Sequence, residues 1–409
     1  RGIMTYKLLK VDFYKNRDSF EKKYQERLNF DSTLQTKLFI HPFDKEERKT
    51  KETYELFYVP LLQHSVLQEK IMKNSQEIMR YIHKLPKIVQ KNIFFYQLIE
   101  EIQSTNEIEG VKSSRKDISK VLHKLNANST ERFQGIVNMY KGIVTDKMLK
   151  IETLGQFREI YDELFKADIQ EEDYPDGLLF RKSVVYISDK DKVVHQGSSN
   201  EESIIADLEK LILFMNQTAL PSLLKCCISH YYFEYIHPFY DGNGRMGRFL
   251  MSNYLSRKLD PLTGLTVSNA VIHNKRKYEK AFSEVTNPRN RGEVTLFVQT
   301  MYEFILLGQT EILEELITWT NQLKRATQWL KHSELPEDEC SVLFLLIQAH
   351  MFRNGTESVS IKEIQENQNW SYGKVKRITE TLEKQAYIQV QGKKPKTYRI
   401  TQQFEETIG

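Results

Sequence analysis

Twelve consecutive residues, His237-Pro-Phe-Tyr-Asp-Gly-Asn-Gly-Arg-Met-Gly-Arg248, sit between two apolar stretches and dictate what can be built there. Upstream, Leu223, Leu224, Ile228, Tyr231, Tyr232, Tyr235 and Ile236 recur at helical spacing, which predicts a largely buried helix. Pro238 and the pair Gly242 and Gly244 interrupt it. Met246, Phe249, Leu250, Tyr254 and Leu255 then restore the helical period, so a second helix starts near Gly244. The loop therefore lies on a helix N-terminus, where free backbone amides and the positive end of the macrodipole favour an anion.

The side chains in this loop point to a polyphosphate and a magnesium ion. Glycine lets the backbone come close to a phosphate and adopt positive φ. Arg245 and Arg248 are three apart, share a helix face, and carry the guanidinium fork that matches phosphate oxygens. Asp241 offers carboxylate oxygen to a hard cation such as Mg2+. His237, at the mouth of the loop, is placed to take a proton from an incoming hydroxyl. A second His-Pro-Phe at 41–43 is followed by Asp44-Lys45-Glu46, with no glycine or arginine cluster, and reads as a turn.

The segment 237–248 resembles the active-site motif of the Fic (filamentation induced by cyclic AMP) family, HxFx(D/E)GNGRxxR, at every specified position. The resemblance implies a protein adenylyltransferase that moves AMP from ATP to a Ser, Thr or Tyr hydroxyl of a target protein. It implies His237 as the base and Asp241 as the Mg2+ ligand. Asn243 and the amides of Gly242 and Gly244 would hold the α-phosphate region, and Arg245 and Arg248 the β- and γ-phosphates. Relatives that phosphorylate their targets carry lysine where this chain has Gly244, so the glycine favours AMP transfer.

Residues 184–197 hold two β-branched runs around a polar turn, which predicts a hairpin. In the family such a flap pairs with the target peptide as an added strand, a role implied here for Val185, Tyr186, Ile187 and Ser188. His195 within it is expected at the surface. The stretch Asn274-Lys-Arg-Lys-Tyr278 resembles the one that supplies a tyrosine to the adenine pocket, and Tyr278 also fits a core position. Residues 96–110 form a helical pattern that Gly110 can end. Beside the motif, Thr105, Glu109 and Gly110 resemble the family's inhibitory signature (S/T)xxxE(G/N). That resemblance implies a glutamate that occupies Arg248 and leaves ATP in an unreactive pose, within the subclass whose inhibitory helix precedes the motif.

The C-terminal stretch has another character. Leu335-Pro-Glu-Asp-Glu339 breaks the helical pattern, and 339–352 reads as an apolar helix. Ser360 and Glu363 form a capping-box pattern, and Ser371 caps a third helix running to about Ala386. Two alternating runs, 387–391 and 397–401, flank the basic turn Gly392-Lys-Lys-Pro-Lys396. Three helices and a basic hairpin resemble a winged helix-turn-helix. Between Lys374 and Arg399 stand eight Lys or Arg against two Glu, a bias that suits phosphate contacts, so DNA is one expected partner and a protein surface the alternative.

The expected architecture is mainly α: an N-terminal arm at 1–60, an all-helical core with a small flap at 61–330, and a winged-helix-like unit at 335–409. Apolar content of 40% and charged content of 28% fit a globular chain, and a net charge of +4 is too small to mark a nucleic-acid binder by itself. Three cysteines cannot make a disulfide framework, and no apolar run reaches membrane-span length, so the expectation is a cytoplasmic protein without a membrane partner. Two function classes stay open. One is the adenylyltransferase, with AMP removal as a variant. The other is a DNA-binding regulator whose core senses ATP. The intact His237 favours the enzyme, because sensing needs no base. The target, the modified residue type and pairing with a second copy of the chain also stay open.

Overall fold

The computed structural model describes residues 6–43, 49–123, 131–166, 168–189, 192–352, 358–392 and 396–408. It is mostly helical with small antiparallel sheets, as the periodicity predicts. The chain forms two compact units. The first comprises residues 1–75, 100–113 and 120–309, and the second 76–99, 114–119 and 310–409. Among the described residues no helix is long and apolar enough to cross a membrane.

Two helices form the centre of the first unit. Ser222–Ile236 is rich in apolar residues and buried from Leu223 to Phe233, as a helix through a core must be. Asn243–Lys258, the motif helix, is buried at Asn243 and from Arg245 to Ser256. Around them lie Gln134–Val144, Leu154–Phe165, Glu201–Asn216 and Lys275–Thr286. Local chemistry sets several of these starts. Thr153 with Gln156 and Asn200 with Ser203 form reciprocal capping boxes. Gln134–Val144 and Leu154–Phe165 cross very closely: a Cβ on Gly135 would fall 1.9 Å from the Glu163 carbonyl oxygen.

Residues 1–60, which show no clear pattern in the sequence, hold two short helices, Leu9–Lys15 and Arg17–Leu28, and an antiparallel pair, Leu34–Ile40 with Tyr54–Tyr58. Distant partners order this segment. Arg27 pairs with the buried Glu293 at 2.7 Å, and Arg291 lies over the rings of Phe20 and Tyr24 at 4.7 and 4.6 Å. The second His-Pro-Phe sits beside this pair, where the His41 amide donates to the Tyr235 hydroxyl.

The second unit has its own core, built on Leu346, Val375, Leu382, Ile388, Tyr398 and Phe404 among others. Helices Glu337–Phe352, Ile361–Gln368 and Tyr372–Lys384 precede and flank a three-stranded antiparallel sheet. In it, Thr397–Ile400 lies between Val359–Ser360 and Ile388–Val390. Ser360 and Glu363 make the expected capping box, and Ser371 caps the third helix, which ends at Lys384. Of the basic turn, Lys393 and Lys394 lie outside the described residues. Three cations of the basic stretch face acids: Lys374 pairs with Asp338 at 2.9 Å, Lys376 with Glu380 at 3.9 Å and Lys396 with Glu383 at 3.6 Å. The charge bias counted along the chain is thus partly neutralised within the unit.

The contact at Gly135 makes a sharp prediction. Gly135→Ala must push two helix backbones apart and should cost about 1–3 kcal/mol, read as a lower denaturant midpoint with unchanged slope. A variant as stable as the parent would show that the crossing is looser than described.

Candidate active site

The loop between the two central helices is built by its own side chains. The chain leaves the helix Ser222–Ile236 through His237, whose left-handed φ of 53° ends the helix, and enters the motif helix through Gly242 at φ 83°. Phe239 is fully buried and stacks on Tyr161 with ring centroids 3.7 Å apart, so the phenylalanine of the motif is an anchor. Asn243 closes the loop. Its Oδ1 accepts from the Phe239 amide at 2.9 Å and its Nδ2 donates to the Phe239 carbonyl at 2.8 Å. The Asn243 side chain, expected at the α-phosphate, is thus spent on shaping the loop. No side chain caps the motif helix, whose first-turn amides have no acceptor within their own helix.

His237 is half-buried, and its Nδ1 lies 3.3 Å from the Glu234 carbonyl oxygen. A carbonyl only accepts, so Nδ1 carries the proton and Nε2 keeps its lone pair. Burial, with the nearby Arg181 charge, pushes the imidazole down from 6.5 to about 4. His237 is therefore neutral at pH 7. Arg181 also fixes the loop. It is fully buried, donates from Nε to the His237 carbonyl at 2.8 Å and from Nη2 to the Ile236 carbonyl at 3.3 Å, and also reaches the Ser183 carbonyl. Nothing in the sequence signals Arg181, because it stands 56 residues from the loop it holds.

Asp241 is exposed. Its Oδ1 accepts from the Gly242 amide at 2.6 Å, and its Oδ2 lies 3.4 Å from Arg245 Nη2. Arg245 is buried with its guanidinium over the Phe165 ring at 4.6 Å. Its Nε finds no hydrogen-bond partner among the described residues. Among these residues no group of three or more His, Cys, Asp or Glu is placed to hold a metal. A single carboxylate is nevertheless what a magnesium ion takes when phosphates and water supply its other oxygens, so Asp241 fits that role.

Arg248 points to a different neighbourhood. It is 1% exposed and is held by the helix Lys87–Ile108 and the turn after it. Its Nε donates to Thr105 Oγ1 at 2.9 Å, and its Nη2 to the Thr105 carbonyl at 3.1 Å and to Glu109 Oε1 at 2.8 Å. Burial works against the Arg248 charge, but Glu109, Tyr278 and Glu234 outweigh it and raise the pKa. The Glu109 carboxylate also lies over the start of the motif helix, since a Cβ on Gly244 would fall 2.2 Å from Oε1. Thr105 and Glu109 thus meet Arg248 at the place where an anion is expected, and Gly110 follows them at φ 72°.

Three further residues complete the surroundings. Tyr278 is buried, its hydroxyl 2.8 Å from His230 Nε2 and its ring edge-on to Phe282, so it sits in the core and not on an open face. Glu234, one turn before His237, has an Oε1 without a partner among the described residues, and burial pushes its carboxyl up to about 8. The flap strands are Tyr186–Asp189 and Lys192–Gln196, within the expected hairpin. Val185 receives the Gly197 amide at 3.0 Å, Tyr186 and Ser188 are exposed, and Ile187 pairs with His195. His195, expected at the surface, is half-buried and donates from Nε2 to the Tyr235 carbonyl at 2.8 Å, tying the flap to the helix before the motif.

The His237 environment can be checked by titration. The ring should titrate near pH 4 in the folded protein by NMR, against 6.5 unfolded. Because the folded value is the lower one, His237 contributes stability that is present above pH 6.5 and lost as pH falls toward 4. Titration near 6.5 would mean that the imidazole is solvated and free of Arg181.

Comparison with known proteins gives a family match for part of the chain and several solved structures of low similarity. Residues 151–255 match the Fic/DOC family. Three solved structures resemble the chain at low identity. A Fic family protein from Desulfovibrio desulfuricans G20 is 18% identical, covers 81% of this chain and 96% of its own, and has a TM-score of 0.49. A Fic domain containing signaling protein from Bacteroides thetaiotaomicron VPI-5482 is 17% identical over 59% of this chain and 96% of its own, with a TM-score of 0.42. Fic-1 (aa134 - 508) from C. elegans is 14% identical over 63% and 74%, also at 0.42. With the loop at 237–248 inside the matched range, the chain carries a Fic/DOC family domain at residues 151–255.

Proposed function

We propose that the protein transfers AMP from ATP to a hydroxyl of a target protein and is held inactive by its own Glu109. Fic-family domains generally transfer a nucleoside monophosphate to proteins, and the finer reading rests on the site. The observation that carries it is Glu109 Oε1 at 2.8 Å from Arg248 and against Gly244, a carboxylate seated at a helix N-terminus where a phosphate would go.

Active chemistry follows when that carboxylate leaves. The triphosphate lies along the motif helix, with Arg248 on its terminal phosphate and the first-turn amides nearer the α-phosphate. Asp241 would hold a magnesium ion there, which would supply charge neutralisation at the phosphates. The target hydroxyl oxygen attacks the α-phosphorus, its proton passes to Nε2 of His237, and the bond to the bridging oxygen breaks to release pyrophosphate. A neutral imidazole with its lone pair on Nε2 is ready for this without prior deprotonation. The flap registers the target segment beside His237, with the exposed Tyr186 and Ser188 available to it.

The experiment is transfer of labelled AMP into lysate proteins and into the protein itself. Glu109→Gly should increase labelling by about tenfold or more, since electrostatic preorganisation around the phosphates is a large share of such catalysis. The gain should need Arg248, so Glu109→Gly with Arg248→Ala should fall back, the non-additivity expected of one shared interaction. His237→Ala in the Glu109→Gly protein should lower transfer by roughly 100- to 10,000-fold. No gain on any substrate from Glu109→Gly would sink the inhibitory role. Loss of AMP removal in the same variant would instead make Glu109 a group that acts on water.

A further inference from the structure

Glu101, Thr105 and Glu109 stand four residues apart, on one face of the helix Lys87–Ile108 and the turn that follows it. They meet Ser252, Arg248 and the Gly244 end of the motif helix in turn, so the two segments are laced antiparallel. The pair with Arg248 is only the last rung. Fully buried Glu101 makes the first: its Oε1 accepts from Ser252 Oγ at 3.2 Å and from Ser268 Oγ at 2.5 Å, and its Oε2 from the Ser268 amide at 2.8 Å. Ser268 lies in the first turn of Val267–Ile272, whose N-cap residue Thr266 makes no side-chain cap bond. Glu101 therefore supplies that cap from another helix by accepting the Ser268 amide, although burial lifts its carboxyl to about 7.

The return contact is at the other end. Lys275 Nζ donates at 2.7 Å to the carbonyl of Ile108, the last residue of the helix that Glu101 belongs to. A cation on a C-terminal carbonyl is the complementary cap. The segment that follows Val267–Ile272 thus holds the open end of the inhibitory helix, while the inhibitory helix caps Val267–Ile272. Lys275 keeps 42% of its side chain exposed and has Glu279 at 3.8 Å, so this second contact is made at the surface.

We propose that Glu101 and Lys275 are positioning residues for inhibition: a two-point latch that fixes the helix so that Glu109 reaches Arg248. The proposal rests on Glu109 being inhibitory. It extends that reading to residues outside the (S/T)xxxE(G/N) signature and away from the phosphates. Glu101 fixes the register along the motif helix, and Lys275 prevents the last turn, which carries the geometry leading to Glu109, from fraying.

Lys275 is the residue to test, because its replacement at the surface leaves the core intact. Lys275→Met should raise AMP transfer by about two- to fivefold, the factor that a cation at a helix C-terminus contributes. Lys275→Arg should stay near the parent, and Lys275→Met should change nothing in the Glu109→Gly protein. Amide hydrogen exchange at Glu109, Gly110 and Val111, which donate to the Asn106 and Glu107 carbonyls, should quicken in Lys275→Met by the same factor. Unchanged exchange overturns the latch, and so does unchanged transfer where Glu109→Gly activates. A Glu109→Gly protein no more active than the parent overturns the inhibitory reading instead. Faster exchange in Lys275→Met would then still support Lys275 as the tie on the helix.

Discussion

The Arg248 guanidinium is 1% exposed, and burying a cation without a partner costs several kcal/mol, so something anionic must sit beside it in every stable state of the protein. In the state described here that group is Glu109, with Thr105 accepting from Nε and Nη2. The requirement links fold to control. Whatever displaces Glu109 has to bring negative charge of its own, and a triphosphate does. On the proposed function the same pocket serves as a structural ion pair and as the seat of the terminal phosphate, and Arg248 can hold only one of the two at a time. Gly244 is what allows the overlap, because any side chain there would meet the Glu109 carboxylate.

Around this pair the site is pre-shaped in a way that does not involve Glu109. Asn243 ties the loop to the Phe239 backbone, Phe239 is held on Tyr161, and Arg181 clamps the carbonyls of Ile236 and His237. The contacts of Asn243 and Arg181 fix backbone and do not involve Glu109. On this account inhibition acts on the arginine, not on the loop. Release of Glu109 then suffices to switch the site, and on the proposal above the latch at Glu101 and Lys275 sets how often it happens.

What could be read from the sequence follows from distance along the chain. The loop at 237–248 and the caps at Ser360 and Ser371 depend on neighbours within a turn or two, and their spacing announces them. The Thr105–Glu109–Gly110 signature is equally local, although its partner is not. Long-range contacts leave no such trace. Arg181 looks like any arginine after a phenylalanine, Lys275 like one of several cations before Tyr278, and Glu101 like a polar residue on an amphipathic helix. Their roles come from partners 56 to 167 residues away. The first sixty residues were opaque for the same reason, since ion pairs and ring contacts to 289–293 order them rather than a pattern of their own. Asn243 shows a role the motif does not announce: its place there suggests a ligand contact, and its amide also closes the loop it belongs to.

If Glu109 and the terminal phosphate compete for Arg248, then removing the carboxylate should matter only to ligands long enough to reach that arginine. Calorimetric titration of AMP and of magnesium–ATP into the parent protein and into Glu109→Gly tests this directly. The account predicts that the affinity for ATP rises by about tenfold, the gain from one freed charge-assisted hydrogen-bonding group, while that for AMP stays the same. An equal change for both nucleotides, or none for ATP, would contradict the claim that Glu109 stands in the place of a phosphate.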